Sequence, residues 1–314
     1  AENSPSNKSP AFVNGPVLNN TAYVRKAPTA EFMTTNMKEI YTGRAVEASR
    51  MDLKVTLDGA LVSNPSVTYL YRSSQGGEYT EGLPVNAGTY EIKARIAAKS
   101  GEYNAAESSN TVTLTIEKKT LTITAQDQTI SYGEALTAAV SMVNVEGLAE
   151  TDQLSNIQLA ADGSDAGSWQ IIPSDARIVR GNVNAAANYE ITYQNGTLTI
   201  NPIDYDDKTV QTQFVIWKDG KFQEPVFTDK NGNPVEGTTK YTYKNTEYSD
   251  YSTLVDVLKK LDNGDEGSIG YEFVPQSGNY QGKKSGEISF TVMTVSFTAG
   301  NEAATAQNAV TVKA

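Results

Sequence analysis

The chain of 314 residues contains no cysteine and no histidine. Without cysteine there are no disulfides, thiolate nucleophiles or soft metal sites. Without histidine the commonest general base and the commonest imidazole ligand are gone. Catalysis would have to rest on paired carboxylates or a Ser–Lys pair, so a non-enzymatic role is expected. Positive charge is also scarce. Lys and Arg number 26 against 37 Asp and Glu, a formal charge of -11. That balance repels phosphate backbones and anionic lipid surfaces, which argues against nucleic acid as a partner. No run approaches the roughly 18 apolar residues of a membrane-spanning helix, so membrane insertion is not expected.

What the sequence has in quantity is alternation. In "TYEIKARIAA", Tyr90, Ile92, Ala94 and Ile96 alternate with Glu91, Lys93 and Arg95; in "TVTLTIEKK", Val112, Leu114 and Ile116 alternate with threonines. A period of two with β-branched residues predicts strands with one buried and one wet face. "KVTLDG" and "SVTYLYR" follow the same rule, and turn clusters such as "SQGGE" and "KSGEYN" separate the runs.

The alternation is organised in copies. "NAGTYEI" at 86–92, "DAGSWQI" at 165–171 and the looser "DEGSIGYEF" at 265–273 each set Asn or Asp two residues before a glycine that opens an alternating run. Gly88, Gly167 and Gly267 lie 79 and then 100 residues apart, the size of a β-sandwich domain. Each glycine is expected where a loop turns into a core strand and a Cβ would clash. The division expected is a flexible leader at 1–28, repeats at 29–119 and 120–203, and a third repeat with a C-terminal extension at 204–314. The junctions "EKKT" and "NPIDYDDK" are not Gly/Ser linkers, which predicts an elongated, fairly stiff rod.

Three local features refine this. "NYEITYQNGTLTI" reads as a hairpin, with Asn195-Gly196 as its turn between Tyr189, Ile191, Tyr193 and the returning Leu198 and Ile200. "IWKDGKF" and "FTDKNGNPV" read as further hairpins. "SDYSTLVDVLKKLDNG" predicts one short helix in the third repeat, with Leu254, Val255, Leu258 and Leu261 on one stripe. Ser249 or Ser252 is its cap, Lys259 and Lys260 suit its last turn, and Gly264 is its stop. An apolar stripe of this kind is expected to face its own core.

With "YTGRAVEA", "SYGEALTAAV", "NAGTYEI" and "NYEITYQNGTLTI" in view, the chain resembles bacterial immunoglobulin-like repeats of cell-surface proteins, and 121–203 resembles the MBG-type domain. Tyr132-Gly133 matches that family's opening, Ala166-Gly167-Ser168-Trp169 its centre, and Asn188-Tyr189 through Ile200 its close. Tyr41-Thr42-Gly43 and Ala87-Gly88-Thr89-Tyr90 carry the same signature, whereas the third copy lacks the opening and has Glu266 in place of the alanine. The resemblance implies an all-β chain of tandem Ig-like antiparallel β-sandwich domains, located outside the cell or on its surface. It also implies a stalk or adhesin-type role and a monomer within a longer surface protein.

Candidate sites are few. Asp204, Asp206 and Asp207 form an acidic junction of the kind that holds calcium between domains, or else a solvated turn. "TDKNGNP" sets Asp229, Asn231 and Asn233 at alternate positions, but its glycine and Pro234 break the calcium-loop pattern, leaving a turn. Trp169 shares strand parity with Ile171 and is expected in a core; Trp217 has the opposite parity to Phe214 and Ile216, which makes it the candidate ligand-binding aromatic. No local motif reveals a Lys–Asn isopeptide bond, and the sequon Asn195-Gly196-Thr197 is read as a hairpin turn first and a glycan acceptor only in a secretory context. Extracellular glycans or host cell-surface proteins are the expected partners. The alternative is a carbohydrate-binding accessory region of a larger secreted enzyme, and a histidine-free hydrolase built on paired acids has no local motive.

Overall fold

A computed structural model describes residues 25–206, 213–217 and 226–293. The described residues form β-strands and one α-helix. The chain divides into two compact units: residues 1–121, 146–155 and 177–192 form one, and residues 122–145, 156–176 and 193–314 the other.

A single register recurs three times. In the first unit the opening strand Asn36–Ile40 pairs parallel with the closing strand Val112–Glu117, placing Glu39 opposite Ile116. In the second unit Gln128–Ser131 pairs parallel with Gly196–Asn201, placing Ile130 opposite Ile200. There too Gln213–Trp217 pairs parallel with Lys284–Met293, placing Phe214 opposite Phe290. Each closing strand also pairs antiparallel with the strand begun by the sequence motif, and Gly88, Gly167 and Gly267 fall opposite Ile116, Ile200 and Phe290. Each closing strand therefore has one parallel and one antiparallel neighbour, and the three glycines hold one structural position.

In the first unit the large sheet carries the strands Val67–Ser73 and Gly88–Ile96, and a smaller sheet carries Thr29–Phe32 and Leu53–Leu57. Ala30 and Val55 from the small sheet meet Ile96 and Tyr103 in one cluster. Along Gly88–Ile96, Ile92, Ala94 and Ile96 are buried, as the alternation predicts. In the second unit a core of Tyr241, Phe273, Ile288 and Phe290 also takes in the helix Tyr251–Leu258, which buries Leu254, Val255 and Leu258. That is the self-packing stripe read from the sequence. The cap differs: Asp250, not Ser249 or Ser252, accepts from the N–H groups of Ser252 and Thr253, because an aspartate there reaches both orphan donors of the first turn. Lys259 and Lys260 lie beyond the last helical residue, Leu258.

The Asn195-Gly196 hairpin is corrected. Tyr189–Gln194 lies in a three-stranded sheet and Gly196–Asn201 in a five-stranded one, so the chain changes sheets here. Neither residue has a positive φ. Gly196 is required by space instead, since a Cβ would come within 2.6 Å of the Ala125 carbonyl oxygen. At Gly267 the expected clash is found. This glycine has no positive φ, and its missing Cβ makes room for the Phe290 ring, 2.6 Å from where that atom would sit. Gly88 and Gly167 do have positive φ, 155° and 150°, as a loop entering a strand demands. "IWKDGKF" falls largely outside the described residues, as do the leader up to residue 24 and the extension from 294.

Candidate functional site

The motif residues converge on two joints, each built from parts of two consecutive copies. In the first unit Asn188, 4% exposed, turns its side-chain amide onto the Asn86-Ala87 loop. Its Oδ1 accepts from the Ala87 N–H at 2.8 Å and its Nδ2 donates to Asn86 Oδ1 at 3.4 Å and to the Ala185 carbonyl at 3.1 Å. Tyr189 follows it into the interior, 3% exposed, and meets the ring of Tyr41 edge to face with centroids 5.4 Å apart.

A buried carboxylate joins these rings. Asp152, 4% exposed, accepts through Oδ2 from the Tyr41 hydroxyl at 2.7 Å and the Tyr189 hydroxyl at 2.6 Å, and through Oδ1 from Thr151 at 2.9 Å. Each phenol also accepts one bond, Tyr189 from the Ala149 N–H and Tyr41 from Arg180 Nη1. Arg180 Nη2 then reaches Asn86 Oδ1 at 2.9 Å, tying the charged network back to the loop. A buried charge is tolerable only when satisfied in this way. Burial, then the bond to Asp152, pushes the Tyr41 phenol from 10.0 up to about 12. The same causes raise that of Tyr189. Gly43 leaves room for this arrangement, since a Cβ there would lie 1.8 Å from Thr151 Oγ1.

The second unit repeats the plan with different chemistry. Asn279, 6% exposed, accepts from the Ala166 N–H at 2.5 Å and donates to Asp165 Oδ1 at 2.9 Å. Tyr280 meets Tyr132 edge to face at 5.9 Å. Within each loop, the aromatic four residues after the Asn or Asp holds that residue's carbonyl. The Tyr90 hydroxyl donates to Asn86 O at 2.9 Å, and the Trp169 indole N–H to Asp165 O at 2.6 Å. Asx-Ala-Gly-Ser/Thr-aromatic is thus a loop whose carbonyl is held by its own copy and whose next N–H is read by the following copy.

Trp169 is accordingly only half-buried, not a core residue. Its ring lies over Gly163, whose Cβ would come within 2.0 Å of it, because the indole N–H must reach the loop carbonyl at the sheet's end. In the third copy the receiving half is missing among the described residues. Ile216 holds the register of Tyr41 and Tyr132, two residues past the paired position, and Ile269 holds that of Tyr90 and Trp169. The Asp265 carbonyl accepts from Val292 N instead. In the first copy Glu102 stands where later copies have the asparagine, and it pairs with Lys99.

The remaining candidates do not come together. Asp204 is exposed and lies 3.2 Å from Lys284 Nζ; Asp206 pairs with Thr228 through the backbone, its side chain outside the described set, and Asp207 lies outside the described residues altogether. No group of three acidic side chains is placed to hold a metal among the described residues. Trp217 ends its strand opposite Met293, its side chain likewise outside the described set. Asp229 is committed to its own turn: its carboxylate accepts from the N–H groups of Asn231 and Asn233 and from Asn233 Nδ2, and the Asn233 bond chiefly holds it below the usual range.

A cleft lies beside each joint. The first, about 430 Å³, is lined by charged residues that include the ion pair Glu39–Arg50 at 2.6 Å. The second, about 630 Å³, has an aliphatic floor that includes Ile130, Leu198 and Ile200, with Tyr132 and Tyr280 at its wall. No described helix is long and apolar enough to cross a membrane.

Residues 121–199 match the family described as the MBG domain (YGX type), which spans the opening Tyr132-Gly133 and the closing Asn188-Tyr189. No curated protein matches the chain. Among solved structures, it is similar to Drosophila N-cadherin EC1-4, at 10% identity over 86% of this chain and 76% of that one, with a TM-score of 0.26. It is similar to the fibronectin(III)-like modules of Clostridium thermocellum CbhA at 13% identity over 55% and 94%, with a TM-score of 0.19. It is also similar to the N-terminal four Ig domains of Dscam1 isoform 7.44 at 12% identity over 86% and 78%, with a TM-score of 0.18.

Proposed function

We propose that this chain is a non-enzymatic, extracellular repeat region that serves as a stalk or adhesin-type binding module. The observation that carries the reading is where the motif side chains go. Asn188, Asn279 and Trp169 spend their polar atoms on bonds that fasten one copy to the next or close the receiving loop, and Tyr41 reaches across to the Asp152 that Tyr189 also holds. Such bonds serve a chain whose copies stay attached. The MBG-type segment and the absence of cysteine fit a place outside the cell.

Beads displaying the full chain, washed over immobilised glycans, mucins and matrix proteins, test this reading. Retention with the surface chemically unchanged is the expected result. Release of cleaved fragments from any of these surfaces would contradict it.

A further inference from the structure

The two joints place the same tyrosine pair in opposite circumstances. The hydroxyls of Tyr41 and Tyr189 are each satisfied twice, through Asp152, Arg180 and the Ala149 N–H. Those of Tyr132 and Tyr280 have no hydrogen-bond partner among the described residues, although both rings are half-buried. The Thr-Asp step that supplies Asp152 in the first joint recurs as Thr228-Asp229, but Asp229 is consumed by its own turn. Two phenols are therefore left facing the 630 Å³ cleft with their polar ends unspent.

The lining defines what fits there. Ile130, Leu198 and Ile200 offer a dry aliphatic floor, and the side chains of Ser164 and Asn231 at the rim also have no protein partner among the described residues. No Lys or Arg lines the cleft among the described residues, and Glu134 and Asp229 do, which disfavours an anion. A purely apolar side chain would strip water from the two hydroxyls and replace none of their bonds, a loss that binding must then overcome. A neutral pyranose answers both demands, with a C–H face for the floor and rings and hydroxyls for the phenols and amide.

We propose that the cleft flanked by Tyr132 and Tyr280 binds a sugar residue of a neutral oligosaccharide. This rests on the reading of the chain as a binding repeat and names the ligand class that one of its copies takes. The full chain is titrated with cellotetraose, maltotetraose and tetra-N-acetylchitotetraose by calorimetry and ligand-observed NMR. The double variant Tyr132→Phe/Asn231→Ala keeps the ring pair and changes an exposed amide, and its unchanged melting temperature verifies the fold. Saturable binding of at least one probe is expected, weakened about tenfold in the double variant through two lost hydrogen bonds and unchanged in Glu47→Ala at the first cleft. No saturation with any of the three probes, or saturation indifferent to the double variant, overturns the proposal. Self-association of the chain abolished by the same variant also overturns it, by making a second copy the occupant. Release of reducing sugar during the titration would instead defeat the non-enzymatic reading while leaving the cleft assigned.

Discussion

The joint at Asn188-Tyr189 and the joint at Asn279-Tyr280 begin alike, with an asparagine amide reading an Asx-Ala loop and a tyrosine set edge to face on the opening tyrosine of the copy before. They part at the hydroxyls. The first closes around a buried carboxylate and a half-buried arginine; the second leaves its phenols open to a cleft. One backbone plan therefore supports a locked interface in one place and an open one in another, and the residue that decides is the aspartate after a threonine. Asp152 is turned inward to the rings, whereas Asp229 is held by Asn231 and Asn233.

The largest effect expected from this difference is at that aspartate. Asp152→Ala leaves two buried phenols without their acceptor and should cost about 3–5 kcal/mol of stability in denaturant unfolding. Asp229→Ala opens only its own turn and should cost about 1 kcal/mol. Equal losses would erase the distinction between the joints. Next, Tyr189→Phe strands the Ala149 N–H and removes a donor from Asp152, for about 1–3 kcal/mol. Tyr280→Phe removes a hydroxyl with no hydrogen-bond partner among the described residues and should stay within about 0.5 kcal/mol of wild type by the same measurement.

Alkaline titration sharpens the comparison further. Tyr41 ionises from 10.0 when unfolded but only at about 12 in the folded chain, and Tyr189 is raised in the same sense. The folded state thus holds its protons longer. The stability these phenols contribute is complete below pH 10 and drains away as pH climbs from 10 to about 12. Unfolding midpoints measured across that window should fall in wild type and fall less in Tyr189→Phe. One effect is shared by both joints: Tyr90→Phe and Trp169→Phe each drop one bond to a loop carbonyl, for about 1 kcal/mol apiece. A difference of more than about 1 kcal/mol between these two would show that the loops are not equivalent.

Much of the fold was legible because strands advertise themselves by parity. Ile92, Ala94, Val112, Leu114 and Ile116 are buried as their alternation requires, and the glycine spacing found one register three times. The joints were not legible, although every residue of the family signature was in view. A motif shows that residues belong together along the chain, while these pair Asn188 with Ala87 and Asn279 with Ala166, about a hundred positions away. Trp169 was misplaced for the same reason, since parity reports the face of a strand and not the loop its indole N–H must reach. Asn195-Gly196 misled because a turn signal between two strands cannot reveal that the strands belong to different sheets.

The most direct test of the joints is amide hydrogen exchange at Ala87 and Ala166, read residue by residue in the full chain. Both N–H groups lie in loops, and an asparagine from the following copy accepts each of them. Asn188→Ala should release Ala87 to fast exchange and leave Ala166 protected, and Asn279→Ala should do the reverse. Protection at both amides that survives both substitutions would contradict the account, because the copies would then be fastened by something other than their shared motif.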